Sequence, residues 1–142
     1  MAIRLSSGSM TSPLPVITND DILHFTAMRW GLIPSWSKDQ KVGFKMINAR
    51  IETLFEKSAF KMAVAKRRCL VPADGFYEWK RTSGGKKPYR IITKDQAIFS
   101  MAGLWDRWET PEGQLVFSFT VITQPPNKLV SEIHDRMPAI LT

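Results

Sequence analysis

The sequence predicts an α+β domain made mostly of strands, a curled or barrel-like sheet with a few short helices. Two observations carry this expectation. From Cys69 onward, short runs rich in β-branched and aromatic residues alternate with turns containing Gly, Pro or Asn, the pattern of consecutive strands. Helical spacing of apolar residues shows in only two places, residues 56–68 and 124–133, so helices are few and short. With 142 residues the chain can bury one core but not two comfortable ones, and no internal repeat divides it.

Each element has a local reason. The opening stretch, to about Pro15, is rich in Ser, Pro and Gly and reads as a flexible tail. "MRWGLIPSW", starting at Met28, begins as a strand and is expected to stop at Pro34, which has no N–H for a ladder. A second short extended segment is expected around Phe44 to Ala49. In residues 56–68, Ser58 is the expected helix cap, Phe60, Ala63 and Val64 form the apolar stripe, and Lys66 to Arg68 complement the helix C-terminus. "CLVPADGFYEWKR" and "PYRIITK" read as strands around the hairpin loop "TSGGKK", and "AIFSMAGLWDRW" and "QLVFSFTVIT" as two more around "ETPEG". Gly103, inside the first of these, points to a bulge or a close backbone approach. "QPPNKLVSEI" reads as a short helix with Leu129, Val130 and Ile133 on one face, delivering His134 into "HDRMP".

Charge narrows the partners. Twenty Lys and Arg against 13 Asp and Glu give a formal charge of +7, which concentrates polyanions near the surface, so nucleic acid leads and a merely basic soluble protein stays open. Cys69 is the only cysteine, so no intrachain disulfide forms. It and the two histidines stand at unrelated spacings, so neither a metal nor any other cofactor is expected. No segment has the length of a signal peptide or a membrane span; a cytoplasmic protein with no membrane partner is expected.

The polar residues that stand out sit in aromatic or turn-bounded stretches. In "ADGFYEWKR" the strand alternation puts Phe76 and Glu78 on one face and Tyr77 and Trp79 on the other. A carboxylate beside a phenylalanine is partly withdrawn from water, a setting suited to acid–base work, although a solvated edge glutamate paired with Lys80 or Arg81 fits the same pattern. Asn48 and Arg50 in "INARIE", Thr123 in "VITQPPN", and His134 and Arg136 in "HDRMP" add an amide, two cations, a hydroxyl and an imidazole. Together they would orient a substrate and pass protons; singly, Asn48 closes a turn, Thr123 precedes a helix, His134 caps one, and the arginines are solvated. Five tryptophans in a basic chain suit a surface that stacks bases while arginines hold phosphates, and core packing is the competing use of Trp30, Trp36 and Trp79.

Taken in order, "MRWGLIPSW", "INARIET", "EKSAFK", "RRCLVPADGFYEWKR", "AGLWDRW" and "IHDRMPAIL" resemble the SRAP family, the SOS response-associated peptidases or abasic-site-processing proteins. The resemblance covers about Met28 to Leu141. It implies the β-rich SRAP fold, with residues 28–142 as the SRAP domain, clipped at its C-terminal end, and 1–27 as a variable or truncated N-terminal segment. It implies a DNA-damage protein that binds single-stranded DNA with abasic sites, acts as a monomer, and links covalently to the lesion through its N-terminal residue. In the family the N-terminal amine condenses with the open-chain sugar aldehyde and a cysteine thiol closes a thiazolidine. Carried over, Asn48 positions the N-terminal residue, Glu78 and His134 move protons, Arg50 and Arg136 hold phosphates, Trp30 and Trp79 face DNA, and Thr123 lines the site. The departure is at the nucleophile: the family begins Met-Cys-Gly-Arg, whereas this sequence begins "MAIR". Either the sequence is truncated or mis-started, or the thiol has been lost. A DNA-binding module without chemistry, and a thiol peptidase built on Cys69 and His134, are the competing readings.

Overall fold

Alternating burial organises the sheets. The computed structural model describes residues 1–3 and 12–141. In chain order it contains β1 (Ala2–Ile3), β2 (Leu14–Thr18), β3 (Asp21–Trp30), β4 (Asn48–Arg50), α1 (Ser58–Lys66), β5 (Arg68–Ala73), β6 (Phe76–Thr82), β7 (Gly85–Ile91), β8 (Phe99–Glu109), β9 (Leu115–Gln124), α2 (Lys128–Ser131), β10 (Met137–Pro138) and β11 (Ile140–Leu141). Strands β9, β3, β2, β5 and β8 are neighbours in that order, and β8 pairs back onto β9, so the sheet closes into a barrel. Closure is parallel between β3 and β9, at Arg29↔Ser118 and Trp30↔Phe119, while the other pairings of the ring are antiparallel. A closed ring leaves no open edge along its paired length. The expected barrel-like α+β fold is what forms.

The barrel is filled by inward residues such as Val16, Met28, Val71, Met101, Phe119 and Val121, all 0–1% exposed. A second cluster, Leu32, Ala49, Leu54, Phe60, Ala63 and Leu104, lies under α1. Phe60 and Ala63 are the buried part of the helical stripe foreseen from the sequence. Outside the barrel, β1, β6 and β7 form a small three-stranded sheet. Its β6–β7 hairpin turns through Ser83 and Gly84, and Gly85 takes a φ of 122° that an L side chain rarely adopts.

Several local expectations shift. The stretch before Met28 supplies β2 and most of β3, with Leu14, Val16 and Thr18 buried in alternation, so the sheet begins well before residue 28. Residues 4–11, most of the Ser-rich opening, lie outside the described residues. β3 stops at Trp30, ahead of Pro34: Gly31 has φ 119°, and a Cβ there would stand 2.5 Å from the Gly43 carbonyl oxygen. Phe44 falls in a 3-10 turn, Gln40–Lys45, because the Asp39 carboxylate accepts from the Lys41 N–H and starts a helix-like turn; only Asn48 to Arg50 is extended. Ser58 is the first helical residue rather than the cap, which is Lys57, with no side-chain bond. In α2 Val130 is buried and Leu129 is exposed.

Gly103 is a close-approach glycine. A Cβ there would lie 2.9 Å from Cys69 Sγ, 2.9 Å from the Thr120 carbonyl oxygen and 3.0 Å from Val71 Cγ2. Two of these neighbours are buried side chains inside a closed barrel and the third is backbone, so none yields easily. Gly103→Ala is expected to destabilise the chain by about 1–3 kcal/mol, read as a lower urea midpoint with an unchanged slope.

Candidate active site

Strand β6 places its carboxylate by alternation: Phe76 and Glu78 are buried while Trp79 is exposed. β1 pairs antiparallel with β6 at Ala2↔Tyr77 and Ile3↔Phe76, so one step along the same register puts Met1 opposite Glu78. The Met1 backbone nitrogen lies 3.9 Å from Glu78 Oε1, and His134 Nε2 lies 3.8 Å from Glu78 Oε2. Both are ion-pair distances too long for hydrogen bonds. Glu78 is 4% exposed; a carboxylate so withdrawn from water, with a nitrogen base on either side, is equipped to accept or give a proton.

Asn48 and Arg50 come from β4, which runs parallel to β9 at Asn48↔Val121, Ala49↔Ile122 and Arg50↔Thr123. Ala49 points into the cluster under α1, so Asn48 and Arg50 share the opposite face. Both line a cleft of about 360 Å³ that Met1, Glu78, Thr123, His134 and Arg136 also line. Asn48 Oδ1 is buried there without a hydrogen-bond partner among the described residues. An unsatisfied buried carbonyl costs about 1–3 kcal/mol, which is tolerated where an incoming group satisfies it. The structure therefore brings Asn48, Glu78 and His134 together.

Arg136 has a different occupation from the phosphate contact expected of it. Its Nη1 and Nη2 donate to the two Glu52 carboxylate oxygens at 2.7 and 2.9 Å, and Nη2 also reaches the Thr123 carbonyl oxygen at 2.9 Å and Thr123 Oγ1 at 3.3 Å. Thr123 is thereby held as a wall of the cleft. Glu52 was not foreseen: within "INARIET" it reads as one more solvated glutamate, and its partner lies 84 residues away.

Trp30 does not face out. It is 6% exposed, packs in the barrel core, and its Nε1 donates to the Ile47 carbonyl at 2.8 Å; the DNA-facing role expected of it is replaced by core packing. Trp79 is 40% exposed. With Lys80, Arg81 and Lys86 it lines a broad groove of about 1110 Å³ that meets the cleft at Met1, Glu78 and His134. Cys69 is buried in the barrel, and burial pushes its thiol up to about 12, so it stays protonated at neutral pH. It lines a third, largely apolar cleft apart from those that His134 lines.

Residues 7–142 match the family described as SOS response associated peptidase (SRAP). Over 130 residues the chain is 50% identical to the abasic site processing protein YoqW of Bacillus subtilis, taking in 91% of the chain and 58% of that relative. It is 44% identical over 137 residues to the abasic site processing protein HMCES of Xenopus tropicalis, covering 81% of the chain and 41% of the relative. The chain thus spans less than two thirds of the length of these relatives. The fold superimposes on a crystal structure of a Bacteroides thetaiotaomicron protein with a TM-score of 0.86 at 39% identity, covering 93% of the chain and 60% of that protein.

The Glu52–Arg136 pair carries a pH signature. The hydrogen bond from Arg136 holds the Glu52 carboxyl down at about 2, against an ordinary 4.5. A carboxyl depressed in the folded state stabilises the fold fully above its unfolded value, and that contribution disappears as pH falls through the folded one. In urea unfolding across pH, the advantage of the wild type over Glu52→Gln is expected to be constant above 4.5 and to shrink between 4.5 and about 2. Because Glu52 is partly exposed, added salt should reduce it too.

Proposed function

The chain belongs to the SRAP family, and on that basis we propose that it binds single-stranded DNA carrying abasic sites, as a monomer, and joins the lesion covalently through an amine at the start of the polypeptide. The observation that carries this reading is the meeting of Met1, Asn48, Glu78 and His134 in one cleft, with Glu78 3.9 Å from the Met1 nitrogen and 3.8 Å from His134 Nε2. An abasic deoxyribose opens to an aldehyde. The amine adds to its carbonyl carbon, giving a carbinolamine; Glu78 delivers a proton to the departing hydroxyl, water leaves, and a C=N bond remains. Asn48 Oδ1 accepts from the attacking amine and fixes its direction; the proton that the nitrogen sheds as the neutral imine forms returns to Glu78, and His134, with Nε2 facing the carboxyl, orients it.

The surroundings suit the substrate. Trp79 offers an exposed ring on which a base stacks, and Lys80, Arg81, Lys86 and Arg50 supply charge for the phosphates. The only cysteine, Cys69, is buried and protonated away from the cleft, which argues against a thiol peptidase built on it. An adduct on an amine with no thiol beside it among the described residues of the cleft stays an imine, open to hydrolysis or to elimination and strand cleavage. The second reading, a binding module without chemistry, is favoured by the same exposed Trp79 and its basic neighbours.

Borohydride, which reduces an imine to a stable amine, separates them. The chain is expected to be trapped on abasic single-stranded DNA and not on the intact strand. Glu78→Gln is expected to slow trapping by about a hundredfold or more, and Cys69→Ala to leave it unchanged. Tight binding of single-stranded DNA with no trapped product would establish the binding module instead.

A further inference from the structure

Resting on that reading of the cleft, we propose that Glu52 is a positioning residue for His134, acting through Arg136. Glu52 stands in the turn that follows β4 and grips both Nη atoms of Arg136, at 2.7 and 2.9 Å. The same Nη2 also donates to the Thr123 carbonyl on β9 at 2.9 Å. A planar fork held by two partners cannot rotate without breaking charge-assisted bonds. The main chain of Arg136 is fixed with it, because the next residue, Met137, begins β10 and pairs with Gln124.

That fixed main chain meets the imidazole. The Arg136 backbone N–H donates to His134 Nδ1 at 3.2 Å. An amide nitrogen has a proton to give and no lone pair to offer, so Nδ1 of the neutral ring is the acceptor and the ring proton sits on Nε2. Nε2 is the nitrogen that faces Glu78 Oε2, at 3.8 Å. Asp135 Oδ1 also lies 3.2 Å from Nδ1, but on a side chain that is 83% exposed, where water competes for it; the amide is held by strand pairing and sets the tautomer. Glu52, Arg136, His134 and Glu78 therefore form one chain of contacts from the surface to the reacting carboxylate. Loss of Glu52 removes two of the bonds on a guanidinium whose Nε is buried without a partner among the described residues, and the Arg136 amide, then steadied only by the Thr123 contact and the pairing of Met137, aims the ring less firmly.

Nitrogen-15 NMR of the imidazoles in the full chain tests this without any catalysis. The sequence has two histidines, His24 and His134, and a His24→Gln variant assigns them. Neutral His134 is expected as the Nε2–H tautomer in the wild type and as a mixture in Glu52→Gln. In borohydride trapping at saturating abasic DNA, Glu52→Gln is expected to lower the rate on the order of tenfold, with DNA affinity changed by less than about twofold and no further loss when His134 is already Ala. An unchanged tautomer in folded Glu52→Gln, or the same rate loss in the His134→Ala background, would overturn the proposal. Should the wild type give no trapped product, the functional reading falls, while the tautomer measurement still decides the role of Glu52.

Discussion

Backbone pairing along β9 is the constraint from which the rest follows. This ten-residue strand serves β8 along Leu115 to Val121, β3 at Ser118 and Phe119, β4 from Val121 to Thr123, and β10 at Thr123 and Gln124. Each buried N–H and C=O must find a partner, so segments scattered along the chain are drawn to one strand. The loop between β3 and β4 obeys the same rule: Gly31 N–H donates to the Phe119 carbonyl, Ile33 N–H to Ser118 Oγ, and Val121 N–H to the Ile47 carbonyl. Barrel closure and the assembly of the cleft are thus two results of one ladder. Asn48 and Arg50 arrive on β4, Thr123 on β9 itself, and Arg136 beside β10.

Glu78 is the exception, because it comes from the small sheet outside the barrel. The cleft is therefore a seam between two sheets, with a buried carboxylate on one side and the amide, imidazole and arginines on the other. Burying a carboxylate is unfavourable unless cations and donors offset it. Here its two ion-pair partners stand at 3.9 and 3.8 Å, beyond hydrogen-bond length, and Asn48 Oδ1 is buried without a partner among the described residues. Folding alone gains nothing from that arrangement; a reactant that fills the seam does.

How much of this the sequence discloses depends on range. The β8–β9 hairpin is plain because two long runs alternate around a turn with Gly113 at φ 85°, and α1 because Phe60, Ala63 and Val64 repeat at helical spacing. Phe44 misleads, since its conformation follows from the Asp39 carboxylate and the close pass of Gly43 against Gly31 rather than from its own propensity. β2 hides because a Ser- and Pro-rich opening masks the alternation of Leu14, Val16 and Thr18. In the site, Asn48, Glu78 and His134 stand out because each is polar within an apolar or turn-bounded stretch. Trp30 and Trp79 look equivalent in one dimension and are separated only by which side of a strand meets the barrel. Glu52 leaves no local trace at all, because everything that distinguishes it is a partner at the far end of the chain.

Neighbouring residues of β6 show why so short a segment can serve two purposes. Glu78 and Trp79 point to opposite faces, one buried and one 40% exposed, yet both line the same groove because β6 runs along its rim. On the proposed reading, a base stacked on Trp79 brings its strand along this rim, so the adjoining sugar lies next to the seam that holds Glu78. An intact nucleotide presents a closed sugar carrying a base, which has no aldehyde for an amine to attack. Discrimination then needs no pocket shaped to the lesion: on that reading Trp79 with Lys80, Arg81 and Lys86 holds the strand, and the chemistry at Glu78 selects the nucleotide that has lost its base.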